Sequence, residues 1–345
     1  MAKEIKNINP GFRKGPGRNY TLEECIQGVK HRHTDVLSFL ISKAESHLDV
    51  DQAFVQNVIS ETSIKEDCRI IAVSGSPGVG KSTFLNSIGA DLLHRSHNIA
   101  ILPVDPSSRI SKGSILGDKT RMEDIAHKPG CFIRPTSSSS SLGGVAPSTS
   151  LAVSICQRAG FDYIFIETVG VGQSEYEVRF LVDCFILLLQ PGGGDDLQGI
   201  KRGIMEMADI VIVNKSDGEL LNKARLSYDA YNTALKLMLP NKWGWKTKAL
   251  MYSSVDHTGR SKEIFSLIDK YFSQLINEGN LFKVRISNSM IQFEKYSADI
   301  LLKAILKDSK ISSYISDLSR SLKEGKSSMS ECLFKLKEFV KNVYG

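Results

Sequence analysis

The stretch Gly75-Ser76-Pro77-Gly78-Val79-Gly80-Lys81-Ser82 decides the fold of this chain. It follows the apolar run 69–74 and precedes residues 83–88, which have the composition of a helix. A glycine-rich loop that ends in Gly-Lys-Ser between a strand and a helix has the GxxxxGKS pattern of a phosphate-binding loop. The sequence therefore predicts a nucleotide site at this loop.

Phosphate binding explains each residue type in this loop. Glycines allow main-chain N–H groups to turn toward phosphate oxygens, and the N-terminus of the following helix favours an anion. We expect Lys81 to contact the β- and γ-phosphates and the Ser82 hydroxyl to bind Mg²⁺. The nucleotide-binding residues predicted here are Gly75, Ser76, Pro77, Gly78, Val79, Gly80, Lys81, Ser82 and Thr83.

The length of 345 residues allows one large α/β domain with extensions, or two domains. A hydrophobic content of 41% with 24% charged residues is ordinary for a protein that forms a core. The net charge of +6 permits an acidic partner but does not by itself indicate nucleic-acid binding. We therefore expect no nucleic-acid partner.

The sequence shows no membrane-spanning or secretory segment. No run approaches the roughly 20 apolar residues that a membrane span requires, and residues 1–6 have no apolar segment of a secretory signal. The 6 cysteines are scattered without the spacing of a zinc site, which favours buried, reduced thiols. The expectation is a cytoplasmic protein without a membrane partner.

From residue 69 to about 278, apolar runs alternate with helical segments. Near-continuous apolar runs are typical of parallel strands that are buried on both faces. We predict a doubly wound, mostly parallel α/β sheet with helical extensions at both ends. Polar segment 136–147 is interpreted as a functional loop. The predicted strands are 69–74, 98–104, 131–134, 161–167, 183–189, 208–213 and 247–252, and the clearest helices 81–95, 148–159, 219–238 and 260–276. The predicted parts are an N-terminal helical extension (1–66), the nucleotide domain (67–279) and a C-terminal helical arm (280–345).

Acidic residues fall where a nucleotide-bound magnesium ion would lie. Asp105 follows the second strand, Asp118 lies in a polar loop, and Glu167 closes an apolar strand. We expect Glu167 to bind Mg²⁺ through water or to polarise the attacking water, and Gly170 to offer its N–H to the γ-phosphate. The alternative for Asp105 is a turn or helix-capping role, and for Asp118 a solvated loop charge.

A third motif, Asn214-Lys215-Ser216-Asp217, ends another apolar run. The carboxylate of Asp217 can accept hydrogen bonds from N1–H and the exocyclic amine of guanine, whereas adenine has no matching donor pair. The segment Ser253-Ser254-Val255 could supply a main-chain N–H to guanine O6. The sequence therefore predicts GTP and GDP as ligands, bound by Asn214, Lys215 and Asp217.

These motifs belong to longer matching stretches: Gly75–Thr83, Val104–Ser108, Gly113–Met122, Leu142–Val145, Glu167–Glu175, Gly194–Lys201 and Asn214–Gly218. Together they resemble the MeaB/ArgK family of P-loop GTPases, which includes the methylmalonic aciduria type A protein. The resemblance implies a homodimeric GTPase chaperone that controls adenosylcobalamin delivery to an acyl-CoA mutase, most often methylmalonyl-CoA mutase. It also implies that the C-terminal arm forms the dimer.

The same resemblance implies roles for individual residues. Ser82, Asp105, Asp118 and Glu167 would surround Mg²⁺, and loop 190–201 would relay the nucleotide state to the mutase. Lys201 would act as a charge-stabilising finger, so that the implied catalytic residues are Lys81, Glu167 and Lys201. Residues 109–112 depart from the family's pattern in the first switch. No tightly bound cobalamin is expected, because residues 256–259 do not have the spacing of a cobalamin-binding DxHxxG motif.

Two other functions are compatible with the motifs. The family's older naming points to a kinase that phosphorylates a binding protein of a transport system, although the NKSD sequence argues against ATP. A nucleotide-gated scaffold with incidental hydrolysis is the non-catalytic alternative.

Overall fold

A computed structural model describes residues 19–46, 48–105, 122–137, 147–168, 173–192, 202–255 and 261–344 of this chain. The chain divides into two compact units, Met1–Leu281 and Phe282–Gly345. The first unit contains a β-sheet with its helices, and the second is helical.

The strands of the first unit form a parallel sheet in the order β3-β2-β5-β1-β6-β7-β8, with β4 also paired to β2. Every pairing among the described strands is parallel, which confirms the doubly wound α/β prediction. The strands are β1 Arg69–Gly75, β2 Ile99–Asp105, β3 Cys131–Ile133, β4 Thr136–Ser137, β5 Tyr163–Glu167, β6 Cys184–Leu189, β7 Ile210–Val213 and β8 Lys248–Met251.

One predicted segment differs from the structure at its ends. Segment 136–147 is predicted as a functional loop, but its first two residues form β4 and its last residue begins a helix. Thr136 pairs with Val104 because β2 extends beyond the end of β3 and leaves its edge open there. Residues 138–146 lie outside the described part of the chain.

The helices of the first unit fall before β1, between the strands and after β8, as the periodicity predicts. The N-terminal helices begin with a capping box in which Thr21 and Glu24 exchange hydrogen bonds. These helices belong to the same compact unit as the sheet. The helices are α1 Leu22–Lys30, α2 Thr34–Ala44, α3 Asp49–Ser60, α4 Lys81–His94, α5 Glu123–Ala126, α6 Pro147–Arg158, α7 Gln173–Arg179, α8 Arg202–Met207, α9 Leu221–Leu237 and α10 Ser261–Asn277, with a 3₁₀ turn at Gly218–Leu220.

The sheet is buried on both faces, which explains the near-continuous apolar strands. Successive side chains of a strand point to opposite faces. Ile70 and Ala72 of β1 belong to a core that includes Leu37 of α2, whereas Ile71 and Val73 are fully buried on the other face. Helices therefore cover both sides of β1, and the loop after β1 emerges from the middle of the sheet.

The second unit consists of long helices. Most of α11, Asn280–Lys307, lies in it, together with α12, Ser309–Lys323, and α13, Met329–Tyr344. Asp308 caps α12 by accepting hydrogen bonds from the N–H groups of residues 310 and 311. The rings of Tyr314 and Phe339 stack at a centroid distance of 4.1 Å and join α12 to α13. Among the described helices of the whole chain, none is both long and apolar enough to cross a bilayer.

Candidate nucleotide-binding site

The phosphate-binding loop follows the central strand β1, where only glycine fits at two positions. Gly75 has φ +149°, and a Cβ there would lie 2.4 Å from the carbonyl oxygen of Leu188 on the neighbouring strand β6. Gly80 has φ +95°, and its Cβ would lie 2.8 Å from the side-chain nitrogen of Asn214. The loop is therefore packed against its neighbours so closely that the glycines predicted from the motif are sterically required.

Lys81 begins α4 and lies inside this loop. It is 8% exposed, and its Nζ donates hydrogen bonds to the main-chain oxygens of Gly75 at 2.7 Å and Ser76 at 3.2 Å. Burial lowers the pKa of the ammonium from its ordinary value, while the charges of Glu167 and Glu175 act in the opposite direction. A positive charge is thus held at the N-terminus of a helix, beside main-chain N–H groups, where an anion is favoured.

Ser82 and Glu167 meet next to the lysine. The Ser82 hydroxyl donates to Oε1 of Glu167 at 2.7 Å, and Glu167 is buried at the end of β5. Both groups offer hard oxygen ligands of the kind that Mg²⁺ prefers. The pair therefore fits the magnesium ion that the sequence predicts, and Ser82 and Glu167 would hold it.

The other predicted ligands of this ion are less fully described. Asp105 is the last residue of β2, and its side chain lies outside the described part of the structure. Asp118, Gly170 and Lys201 also lie outside the described residues, as does segment 256–259, whose spacing does not match a DxHxxG motif. Within the described residues, no group of three or more His, Cys, Asp or Glu side chains could hold a metal ion.

The NKSD motif is joined directly to the phosphate-binding loop. Asn214 is 1% exposed; its Nδ2 donates to the carbonyl oxygen of Val79 at 2.8 Å, and its Oδ1 accepts from the Ser254 hydroxyl at 2.8 Å. Lys215 donates from Nζ to the carbonyl oxygen of Gly78 at 2.7 Å. Two regions predicted separately from the sequence thus form one site.

The carboxylate of Asp217 is oriented by a neighbouring hydroxyl. Ser253 donates from Oγ to Oδ2 of Asp217 at 2.8 Å, and the N–H of Val255 donates to Ser253 Oγ at 3.3 Å. From the sequence, only a main-chain role is expected for this segment, so the contribution of the Ser253 side chain is new. The position of Ser253, two residues beyond the last strand of the sheet, is the signal that could have indicated it.

A second missed group lies beneath the phosphate-binding loop. The buried Ser74 hydroxyl donates to Oε1 of Glu175 at 3.2 Å and accepts from the Thr168 hydroxyl at 2.9 Å. In the sequence, Glu175 is the last residue of the matching stretch Glu167–Glu175, and no separate role is predicted for it. No sequence pattern predicts this contact, because these residues are separated by about 100 positions along the chain.

The six cysteines are buried and free, as predicted. Burial raises the pKa of the Cys25 thiol to about 11 and that of Cys131 to about 12. Protonated, inaccessible thiols are consistent with a structural role for these side chains.

Comparison with known proteins gives one family and several relatives. The family model described as "Methylmalonyl Co-A mutase-associated GTPase MeaB" matches residues 37–310. The chain is 36% identical to the GTPase ArgK of Escherichia coli (strain K12), over 94% of this chain and 98% of that protein. It is 39% identical to the mitochondrial methylmalonic aciduria type A homolog of Caenorhabditis elegans, over 94% of this chain and 79% of that protein.

A solved structure agrees with the fold. The crystal structure of an LAO/AO transport system kinase superposes with a TM-score of 0.72 and 28% sequence identity, covering 93% of this chain and 97% of that chain. The similarity therefore extends over nearly the full length of both chains.

Proposed function

This chain belongs to the MeaB family of methylmalonyl-CoA mutase-associated GTPases, and from that premise we propose that it is a Mg²⁺-dependent GTPase that acts as a chaperone of an adenosylcobalamin-dependent acyl-CoA mutase. Its GTP-to-GDP cycle would control the delivery of cofactor to the mutase and protect that enzyme. We propose that the mutase is methylmalonyl-CoA mutase, and that the chain holds no cobalamin of its own. The sequence predicts that the chain acts in the cytoplasm without nucleic-acid or membrane partners, and this stays a prediction.

The observation that carries the nucleotide proposal is the direct bonding of the NKSD motif to the phosphate-binding loop. Asn214 and Lys215 donate to the carbonyl oxygens of Val79 and Gly78, so Asp217 follows at a fixed distance from the loop. With Ser253 on one of its oxygens, the Asp217 carboxylate can still accept from the N1–H and amine of guanine. Adenine presents an acceptor at N1 and would leave the Asp217 carboxylate unmatched.

In the proposed mechanism, the loop amides and Lys81 hold the phosphates and balance their negative charge. Ser82 and Glu167 would hold Mg²⁺ with Asp105 and Asp118, and the ion would supply further charge stabilisation for the β- and γ-oxygens. Gly170 would offer its N–H to the γ-phosphate. Lys201 would approach the phosphates when the mutase binds, a role that comes from the family resemblance alone.

We also propose a homodimer formed through the C-terminal arm. Several large apolar side chains of α11 are exposed at helical spacing, among them Phe282 (72% exposed), Met290 (59%) and Phe293 (73%). Such a row is costly in water and supports contact with a second copy of this chain. Replacement of Phe293 and Met290 by Ser should convert the dimer into a monomer in light scattering, while unchanged mass would contradict this dimer.

The nucleotide proposal is tested by titration of the purified chain with fluorescent GDP, ADP and their triphosphate analogues, with and without Mg²⁺. We expect guanine nucleotides to bind at least about 100-fold more tightly, since two hydrogen bonds to a charged group are worth roughly 1.5–3 kcal/mol each. Tighter binding of ATP, with phosphate transfer to another protein, would instead support the kinase alternative.

The partner proposal is tested by hydrolysis assays with and without an adenosylcobalamin-dependent mutase. We expect the mutase to accelerate GTP hydrolysis and Lys201→Ala to abolish the acceleration. Lys270→Ala serves as the control, because Lys270 is exposed on α10. If Lys201→Ala leaves nucleotide-dependent control of the mutase intact, the scaffold alternative is favoured.

A further inference from the structure

The Ser74 hydroxyl connects three elements at the base of the phosphate-binding loop. Ser74 is fully buried, one residue before Gly75. It accepts a hydrogen bond from Thr168 Oγ1 at 2.9 Å and donates one to Glu175 Oε1 at 3.2 Å. Because a hydroxyl has one hydrogen and an ionised carboxylate can only accept, the direction runs from Thr168 through Ser74 to Glu175.

Burial of the Glu175 carboxylate is energetically unfavourable without compensating contacts. Glu175 is 4% exposed, so hydrogen bonds and opposite charge must compensate for lost hydration. The Ser74 hydroxyl supplies the hydrogen bond, and the Lys81 ammonium supplies attraction. A buried acid that interacts with the phosphate-binding loop therefore belongs to the construction of the nucleotide site.

The helix that carries Glu175 is anchored at its other end. Arg179, the last residue of α7, lies 3.3 Å from the buried carboxylate of Asp209, which also accepts from the N–H of Phe185 on β6. Glu175 therefore projects from a helix whose position is set by contacts away from the phosphate-binding loop. The hydrogen bond from Ser74 to Glu175 therefore restrains the end of β1 relative to this helix.

Thr168 extends the same network to the strand-end acid. Its N–H donates to the carbonyl oxygen of Val73 at 3.1 Å, and its hydroxyl donates to Ser74. Thr168 directly follows Glu167, whose Oε1 accepts from Ser82 at 2.7 Å. The two bonds of Thr168 thus fix where the chain lies immediately after the acid.

We propose that Ser74 and Glu175 are positioning residues that, through Thr168, hold the Glu167 carboxylate against the Ser82 hydroxyl and so set the affinity of the site for a divalent cation. The inference rests on the proposed function, because it assumes that Ser82 and Glu167 hold the ion beside a bound nucleotide. Ser74 and Glu175 themselves touch neither nucleotide nor ion in this proposal.

The test measures Mn²⁺ binding to the full chain saturated with GDP, from the electron paramagnetic resonance signal of free Mn²⁺. We expect Ser74→Ala and Glu175→Ala each to weaken Mn²⁺ binding about tenfold, the loss of one hydrogen bond to a charged group. The double variant should lose no more than Ser74→Ala alone, because Ser74→Ala already removes the hydrogen bond that Glu175→Ala breaks. Glu175→Gln keeps an oxygen acceptor and should stay within about threefold of the unmodified chain.

The affinity for GDP in EDTA separates positioning from general damage. We expect it to change less than about twofold in all four variants, since the loop amides, Lys81 and Asp217 remain. Ser87→Ala is the matched control: it removes a buried hydroxyl of α4 that bonds to Tyr252 OH at 2.8 Å, and should leave Mn²⁺ binding unchanged. If Ser74→Ala does not fold, the Mn²⁺ affinities of Thr168→Val and Thr168→Ser are compared instead. Thr168→Val removes the hydroxyl that donates to Ser74 with little change in volume and should weaken Mn²⁺ binding, whereas Thr168→Ser keeps the hydroxyl and should not.

Three results would overturn the inference: losses that add in the double variant, a loss in Glu175→Gln equal to that in Glu175→Ala, or equal losses of GDP and Mn²⁺ affinity. Absence of GDP binding in the unmodified chain would refute the proposed function instead. The two failures are therefore distinguishable.

Discussion

Replacement of Asn214 by Ala tests whether the phosphate-binding loop and the NKSD motif stabilise each other. The change removes the donor to Val79 O and the acceptor of the Ser254 hydroxyl, both at 2.8 Å. Val79 is fully buried and Ser254 nearly so, so neither group gains water easily. Each unsatisfied buried group costs about 1–3 kcal/mol, so we expect a loss of roughly 3 kcal/mol in the free energy of unfolding.

The assay is thermal unfolding without nucleotide, followed by titration with fluorescent GDP. A loss of about 3 kcal/mol corresponds to a fall in Tm of roughly 5–10 °C for a unit of this size. GDP affinity should fall at least about tenfold, because the loop loses a contact that holds it in shape. Asn57→Ala on the exposed face of α3 is the control and should stay within about 0.5 kcal/mol. A fall in Tm below about 2 °C with GDP affinity unchanged would refute the reasoning.

Three further predictions concern other parts of the structure. Asp217→Asn replaces an acceptor by a donor, so GDP affinity should fall at least about 100-fold while xanthosine diphosphate, whose base has a carbonyl at position 2, gains affinity in competition titrations. Gly80→Ala places a Cβ 2.8 Å from Asn214 Nδ2 at φ +95° and should weaken GDP binding more than about tenfold, whereas Gly279→Ala, with open space around it, should affect only stability. Burial raises the pKa of Cys131 to about 12 from 9.0, so the folded thiol should react slowly with a disulfide reagent at pH 8. The unfolded thiol ionises near pH 9. The contribution of Cys131 to the free energy of unfolding is therefore complete below pH 9 and is lost as pH rises toward 12.

The strands were predictable because their environment is simple. A central parallel strand is covered on both faces, so nearly every residue of Ile164-Phe165-Ile166 or of β6 is apolar, and the boundaries predicted from those runs agree with the structure to within about two residues. Thr136–Ser137 is the exception. Its two residues form a strand only because the end of β2 is available to pair with them, and composition contains no information about that neighbour.

The site was predictable to the extent that its chemistry requires particular residue types. Phosphate binding requires glycine, lysine and serine at fixed spacing, and guanine recognition requires an acid after a strand. The contacts between these motifs were not predictable: Asn214 and Val79 are separated by 135 positions, and Ser74 and Glu175 by 101. Ser74 and Thr168 are common residue types that gain a role only through the partners that the fold provides.

The position of β1 explains why its carboxyl end can support such a site. β1 lies between β5 and β6, so the register places Val73 beside Glu167 on one side and Gly75 beside Leu188 on the other. The close approach of Leu188 O fixes the start of the phosphate-binding loop, while the opposite side brings the acid to Ser82. An edge strand has only one such neighbour and could supply only one of these restraints. The loop is therefore restrained from both neighbouring strands, which would lower the cost of ordering it when a nucleotide binds.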